Sequence, residues 1–93
     1  MDTESAPRDF KNLKAWEVAV DLVAEVYEIT MGFPSHEQFG LTNQVRRAAV
    51  SIPSNIAEGY ARGSRKEYVH FLKIARGSLA EVETQMIIAQ RLA

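Results

Sequence analysis

Apolar residues recur at every third or fourth position over three long stretches of this chain. The first stretch covers residues 13–31 and predicts an amphipathic helix. Its apolar face is wide, so this helix is expected to contact more than one neighbour. Asn12 is the predicted N-cap, because its side chain can accept from an otherwise unpaired backbone N–H, and Gly32 with Pro34 ends the helix. The predicted face consists of Leu13, Trp16, Ala19, Val20, Leu22, Val23, Val26, Tyr27, Ile29 and Thr30.

The second stretch predicts a helix over residues 41–61, with a proline inside it. Pro53 has no N–H to offer the carbonyl of Ala49, so a kink or a break is expected there. Small polar side chains around the proline are expected to hydrogen-bond freed backbone groups, a structural role. They are Ser51, Ser54 and Asn55.

Two short sequences have the spacing of a capping box, in which a serine and a residue three positions later pair with backbone N–H groups. The first opens a short segment over residues 35–39, and the second follows Gly63 and opens a third helix over residues 65–93. The boxes are Ser35 with Gln38 and Ser64 with Glu67. The predicted core seam of the third helix is Tyr68, Phe71, Ala75, Leu79, Val82, Met86 and Ala89.

The third helix stays apolar to its end, at Ile87, Ile88 and Leu92. Three helices with such broad apolar faces leave a groove open. We therefore expect either that a fourth helix is missing from this chain or that another subunit fills the gap. Residues 1–9 are predicted to be a flexible arm, and residues 10–93 a single helical bundle domain.

Composition narrows the class of protein. The chain has 93 residues and no cysteine, which excludes disulfides and thiolate sites. Neither a signal peptide nor a membrane-spanning apolar run is recognisable, so a cytoplasmic protein without a membrane role is expected. The net charge of −1 hides a division, because residues 1–41 carry −5 and residues 42–76 carry +5. A basic middle can present an anion-binding face, or the two halves can simply attract each other.

The candidate nucleic-acid-binding residues come from this basic middle. Lys66, Lys73 and Arg76 share one side of the third helix, and His70 lies one turn from both lysines. Such a stripe can meet successive phosphates; the alternative is a solvated face, or salt bridges to acids of the first helix. The predicted set is Arg62, Arg65, Lys66, Lys73, Arg76, Arg46 and Arg47. For Arg46 and Arg47, pairing with Glu58 or with an acid of a neighbouring subunit is equally consistent with the pattern.

Gly77 and Ser78 interrupt a good helix, which indicates close approach of another helix, within the bundle or across a subunit boundary. We interpret these two residues as assembly residues. No catalytic set is recognisable, so no enzyme activity is expected. Glu67 and His70 have the spacing of a di-iron carboxylate pair, but such sites need two pairs, so neither a metal nor a cofactor is expected.

The segment over residues 44–59 is the most distinctive part of the chain. Other distinctive residues are Phe10 to Leu13 with Trp16 and Ala19, Phe33–Pro34 with Glu37, Gly40–Leu41, and Phe71, Leu72, Ala75, Gly77, Ser78, Leu79, Glu81 and Glu83. Together these sequences resemble the bacterial four-helix-bundle family of 23S rRNA intervening-sequence proteins. The resemblance covers about residues 10–93 and is strongest over residues 44–59. It implies an antiparallel bundle that assembles into a homopentamer. It also implies kinship with the accessory variability protein of diversity-generating retroelements, a basic pentameric barrel that binds nucleic acid and a reverse transcriptase.

The sequence therefore predicts an all-α protein, an antiparallel up-down four-helix bundle that forms a ring-shaped oligomer. Its predicted function is non-enzymatic binding of nucleic acid, specifically structured RNA, through a basic surface. The alternative is a structural or protein-interaction ring whose basic residues serve the contacts between subunits.

Overall fold

The computed structural model describes residues 9–38 and 40–93, which contain three α-helices and no strand. The helices are α1 (Lys14–Thr30), α2 (Leu41–Ala61) and α3 (Arg65–Leu92). Short 3-10 helices at Phe10–Asn12 and Ser35–Glu37 precede α1 and α2. The all-α prediction is confirmed. Over these residues, none of the helices combines the length and the apolarity needed to cross a membrane.

Two predicted caps are wrong. Asn12 lies inside the first 3-10 helix, and Leu13 occupies the N-cap position of α1 without a side-chain hydrogen bond. Asp9 caps this short helix instead, since its carboxylate accepts from the Lys11 N–H at 3.1 Å. The rest of the arm predicted at residues 1–9 lies outside the described residues. Ser35 makes no capping contact through its side chain, because the turn after Pro34 closes through backbone hydrogen bonds.

The turn between α2 and α3 follows the prediction. Gly63 has φ 84°, a left-handed conformation that costs little without a Cβ. Ser64 then accepts a hydrogen bond from the Glu67 N–H at 3.1 Å, which satisfies one of the unpaired donors at the start of α3. The sharp turn lays α3 back along α2.

Helix α2 runs unbroken through Pro53, so the break, one of the two predicted outcomes, is absent, and the kink stays a prediction. The surrounding polar side chains do hydrogen-bond the backbone of α2, although not the Ala49 carbonyl, to which Pro53 cannot donate. Ser51 donates to the Ala48 carbonyl at 2.8 Å, Ser54 to the Val50 carbonyl at 2.9 Å, and Asn55 to the Ser51 carbonyl at 2.7 Å. The prediction that they pair the freed carbonyl is therefore wrong, and they bond other carbonyls of α2 instead.

Helix α2 is the centre of the arrangement. Both α1 and α3 pack against it, and within the described residues they make no close backbone contact with each other. The described part is elongated, with extents of 55 × 21 × 19 Å. Helix α2 supplies most of the core, which consists of Ala19, Val26, Val45, Ala48, Ala49, Ile52, Ile56, Ala75 and Val82.

Helices α2 and α3 approach each other closely at Gly59. A Cβ added there would lie 2.6 Å from the Cβ of Phe71 and 3.4 Å from the Cα of Tyr68. Ser51 and Ser78 hydrogen-bond to each other through their hydroxyls farther along the same interface. Small residues at these points let the two helices approach closely.

Several residues predicted to be core are exposed instead. Leu79 is 46% exposed because Ser78, not Leu79, is the residue that α3 buries against α2. Val20 and Tyr27 of α1 are also exposed, whereas Ala19, Val26 and Thr30 are buried. Val18 and Ile29 remain 53% and 55% exposed. The wide apolar faces of α1 and α3 are therefore only partly covered by α2.

We predict that Gly59→Ala destabilises the protein by about 1–3 kcal/mol, because the new methyl group overlaps Phe71. Gly77→Ala is the matched control, since nothing lies within 4 Å of a Cβ added there. Alanine favours the helix over glycine by about 0.5–1 kcal/mol. Urea denaturation at one protein concentration measures both variants. Equal changes in the free energy of unfolding in the two variants would contradict the close α2–α3 contact at Gly59.

Candidate nucleic-acid interface

An exposed basic face runs along the first three turns of α3. We define it by Arg65, Lys66, Lys73 and Arg76, all of which are exposed. At about 100° per residue, these positions lie on the side of α3 opposite Ala75, Ser78 and Val82, which are buried. The face spans about 16 Å of helix, at ~1.5 Å per residue. The prediction that Lys66, Lys73 and Arg76 share one side of this helix is confirmed.

No cation of this basic face forms an ion pair within the described residues. The acids of α1 do not reach it: Glu17 pairs with Lys14 at 3.6 Å, and Asp21, Glu25 and Glu28 are exposed and form no ion pair with another described residue. Salt bridges between the acids of α1 and the bases of α3, one alternative raised by the sequence, are therefore absent from this part of the chain. Folding leaves the four charges available to an external anion.

A shallow depression of about 590 Å³ lies on this basic face. It is lined by Arg65, Lys66, Val69, His70 and Lys73, while Arg76 lies farther along the helix. The His70 ring is exposed and meets the ring of Phe71 edge-on at 5.3 Å. The depression is open and cationic, which suits a large anion rather than an enclosed small molecule.

Arg62 differs from the other predicted bases, because its guanidinium joins α2 to α3. It donates to Glu58 at 2.8 Å and to Glu67 at 3.2 Å, and its guanidinium carbon lies 5.0 Å from the centre of the Phe71 ring. The hydrogen bond to Glu58, with the charges of Glu58 and Glu67, raises the pKa of Arg62 above its ordinary value. Arg62 is thus already occupied by intramolecular contacts.

Arg46 also serves the fold. Its Nε donates to the Thr30 hydroxyl at 2.7 Å and its Nη2 to the Tyr27 carbonyl at 3.3 Å. The guanidinium carbon lies 4.4 Å from the centre of the Tyr27 ring. A cation at the C-terminal end of α1 also interacts favourably with the helix dipole. The contact ties α2 to the last turn of α1.

Arg47 is exposed and has no ion pair within the described residues. The sequence offered Glu58 as a partner for Arg46 or Arg47, but Glu58 pairs with Arg62 in this chain. That pairing hypothesis was therefore wrong. Of the seven predicted bases, α3 groups four on one face, whereas Arg46, Arg47 and Arg62 lie apart from that face.

The two predicted assembly residues have different surroundings. Ser78 is buried and bonded to Ser51, so the close helix approach at this position is the contact of α3 with α2 inside one chain. Gly77 is exposed, and no atom lies within 4 Å of a Cβ added there. Close approach of a helix of this chain to Gly77 is thus absent among the described residues. Its role across a subunit boundary stays a prediction.

The carboxylates and histidines of the described residues form no group of three that would hold a metal ion. Glu67 of the Glu67–His70 pair instead accepts a hydrogen bond from Arg62. Among the described residues, His70 is the only histidine beside the basic face, and none of the acids lines its depression. Within residues 9–38 and 40–93, this face carries exposed cations and no set of metal-ligating side chains.

Comparison with known families covers nearly the whole chain. Residues 11–93 match the family described as 23S rRNA-intervening sequence protein. The resemblance inferred from the sequence is confirmed at this level, while kinship with the accessory variability protein stays a prediction. No curated protein matches the chain.

We predict that Arg46→Ala lowers the free energy of unfolding by about 1–3 kcal/mol, because it removes the side chain that donates to the Thr30 hydroxyl oxygen and to the Tyr27 carbonyl at the end of α1. Arg47→Ala removes the same charge from the next position and is expected to change stability by less than ~0.5 kcal/mol. Urea denaturation followed by circular dichroism compares them. Similar losses in the two variants would show that the Arg46 contacts do not hold α1 to α2.

Proposed function

We propose that this chain, which belongs to the family of 23S rRNA-intervening sequence proteins, binds structured RNA through the basic face of α3 without catalysing a reaction. One observation carries the proposal: Arg65, Lys66, Lys73 and Arg76 are exposed together and unpaired within the described residues. The family description names ribosomal RNA, which favours RNA among the polyanions.

The physical support comes from the energetics of cations in contact with phosphates. Exposed lysines and arginines add little to the stability of a folded chain, so folding alone does not account for this cluster. When such cations neutralise phosphates, the nucleic acid releases condensed counterions, and this release drives binding. The acids of α1 lie on another helix and would repel a polyanion, so binding through α3 is favoured.

We also propose that the three helices belong to a four-helix arrangement. In α1, Leu22 and Ile29 are seven residues apart, and in α3, Leu72, Leu79 and Met86 repeat the same interval. Such heptad spacing is typical of a seam that receives another helix. Because α1 and α3 do not cover each other, a fourth helix or a helix of another subunit is the expected occupant.

Assembly would strengthen binding. In a ring, as a homopentamer for example, the basic face would be repeated around the oligomer, and several weak contacts would act together. Gly77 lies immediately beyond Arg76 on the exposed side of α3 and offers room for a neighbouring subunit.

A structural or protein-interaction ring is the second candidate, favoured by a different surface. Arg47 and Glu81 line a recess of about 480 Å³ between α2 and α3, and neither forms an ion pair within the described residues. Gln85 lines the same recess, and its side-chain oxygen is buried with no hydrogen-bond partner among the described residues. A surface that carries both charges and an unsatisfied acceptor suits a protein surface better than a phosphate backbone.

We predict that Lys66/Lys73/Arg76→Ala weakens binding to a labelled structured RNA and flattens its salt dependence. The slope of log K against log salt falls by about 0.7–0.9 for each lost phosphate contact, so a change of about two to three units is expected. Fluorescence anisotropy across a salt series measures this slope.

The matched control is Lys11/Lys14/Arg91→Ala, which removes the same charge from other exposed positions. It should leave the slope within about one unit of that of the unsubstituted protein. Equal effects of the two triple variants would mean that net charge, and not the basic face, governs binding. An absence of RNA binding at low salt would end this proposed function and leave the interaction ring.

We predict that Leu79→Asp lowers the oligomeric mass, because a charge in the apolar groove opposes any helix that covers it. Ile74→Asp is the control, since Ile74 is similarly exposed on α3 but lies outside the heptad stripe of Leu79. Sedimentation velocity of the unsubstituted chain and both variants tests this. A monomeric unsubstituted chain, or equal loss of mass in both variants, would refute a helix of another subunit seated on the Leu79 stripe.

A further inference from the structure

We infer that the basic face of α3 recognises duplex RNA by its phosphate rows and does not recognise single strands. This inference rests on the proposed function and narrows its ligand class. Proteins that bind single-stranded RNA usually interleave cations with exposed aromatic rings, on which successive bases stack. Duplex RNA keeps its bases paired and offers phosphates and 2′-hydroxyls instead. Exposed aromatic rings beside the cations would therefore indicate single-stranded RNA as the ligand, and their absence favours duplex RNA.

The aromatic residues nearest the basic face are occupied by packing. Tyr68 packs edge-on against Tyr60 with ring centres 5.5 Å apart. Phe71 meets α2 at Gly59, and the Arg62 guanidinium covers its ring at 5.0 Å. Both Tyr68 and Phe71 therefore face the α2–α3 contact, on the side of α3 away from the cations. The residues that would supply a stacking platform are used to hold the two helices together.

The aromatic residues of α1 offer no substitute. Trp16 packs against Phe10 with ring centres 5.4 Å apart, and Tyr27 lies beneath Arg46 at 4.4 Å. Among the described residues, His70 is the one ring exposed within the depression of the basic face. A single imidazole cannot provide platforms for successive bases. The basic face therefore offers positive charge to phosphates but almost no aromatic surface on which RNA bases could stack.

The arrangement of the cations also favours a duplex. They project from one continuous helix, with Lys66 and Lys73 about 10 Å apart along its axis at ~1.5 Å per residue. A duplex presents phosphates in fixed rows and at higher charge density than a single strand. A single strand must lose conformational freedom to match a rigid set of cations, and here no stacking offsets that loss.

The test compares a labelled RNA duplex of about 20 base pairs with a single strand of about 40 uridines, matched in phosphate number, by anisotropy with the full chain. At this length the duplex spans more than the ~16 bp that double-stranded RNA domains cover. We expect the duplex to bind at least about tenfold more tightly. Lys66/Lys73/Arg76→Ala should remove most of this preference, and His70→Ala should change either affinity by less than about twofold.

The outcomes separate this inference from the proposed function. If the single strand binds as tightly as the duplex, and the triple variant weakens it, duplex recognition is wrong while RNA binding through α3 stands. A large loss of single-strand binding in His70→Ala would likewise overturn the inference, because it would reveal a stacking contact. Tighter binding of a DNA duplex of equal length would overturn the assignment to RNA. If neither RNA binds, the proposed function itself fails.

Discussion

The close contact between α2 and α3 at Gly59 is the constraint on which the rest of this protein depends. Because Gly59 lacks a Cβ, the Phe71 side chain and the Tyr68 backbone can come within van der Waals distance of α2. This contact sets the rotation of α3 about its own axis. With Phe71 and Ala75 turned toward α2, Lys66 and Lys73 must lie on the opposite side, in solvent. The packing of the interior thus determines where the charge is displayed.

The basic residues form two groups with different physical roles. Arg46 and Arg62 each place a guanidinium over an aromatic ring and donate hydrogen bonds to a neighbouring element. Arginine suits this role because its planar fork supports stacking and directed hydrogen bonds together. Lys66 and Lys73 have no such partners in the described residues. The exposed cations of the basic face therefore remain as a cluster. Their exposure lowers the free energy of unfolding only slightly, and it supports the proposal of anion binding.

Much of the fold could be predicted from local signals. The bounds of α2 agree with the prediction, α1 is one residue shorter at each end, and α3 ends one residue earlier. This agreement is close because Gly63, Ser64 and the 3.6-residue periodicity act over short distances. The capping predictions at Asn12 and Ser35 were wrong, because they considered only the side chain and its sequence spacing. A capping side chain must compete with backbone hydrogen bonds, and at both places a 3-10 turn formed instead. Likewise, an apolar pattern could not show that α3 buries Ser78 and exposes Leu79.

The sequence alone determined the helical class, the order of the helices, the family and the stripe of cations on α3, because periodicity, turn residues and motifs are local properties of the chain. Only the tertiary structure decided which cations stay free. In the sequence, Arg62 and Lys66 are both basic residues near the start of α3. Only Arg62 contacts Glu58, Glu67 and Phe71 once α3 folds back on α2. Such partners are set by the distances between helices, which depend on side-chain volumes such as the missing methyl of Gly59, and no local pattern encodes them.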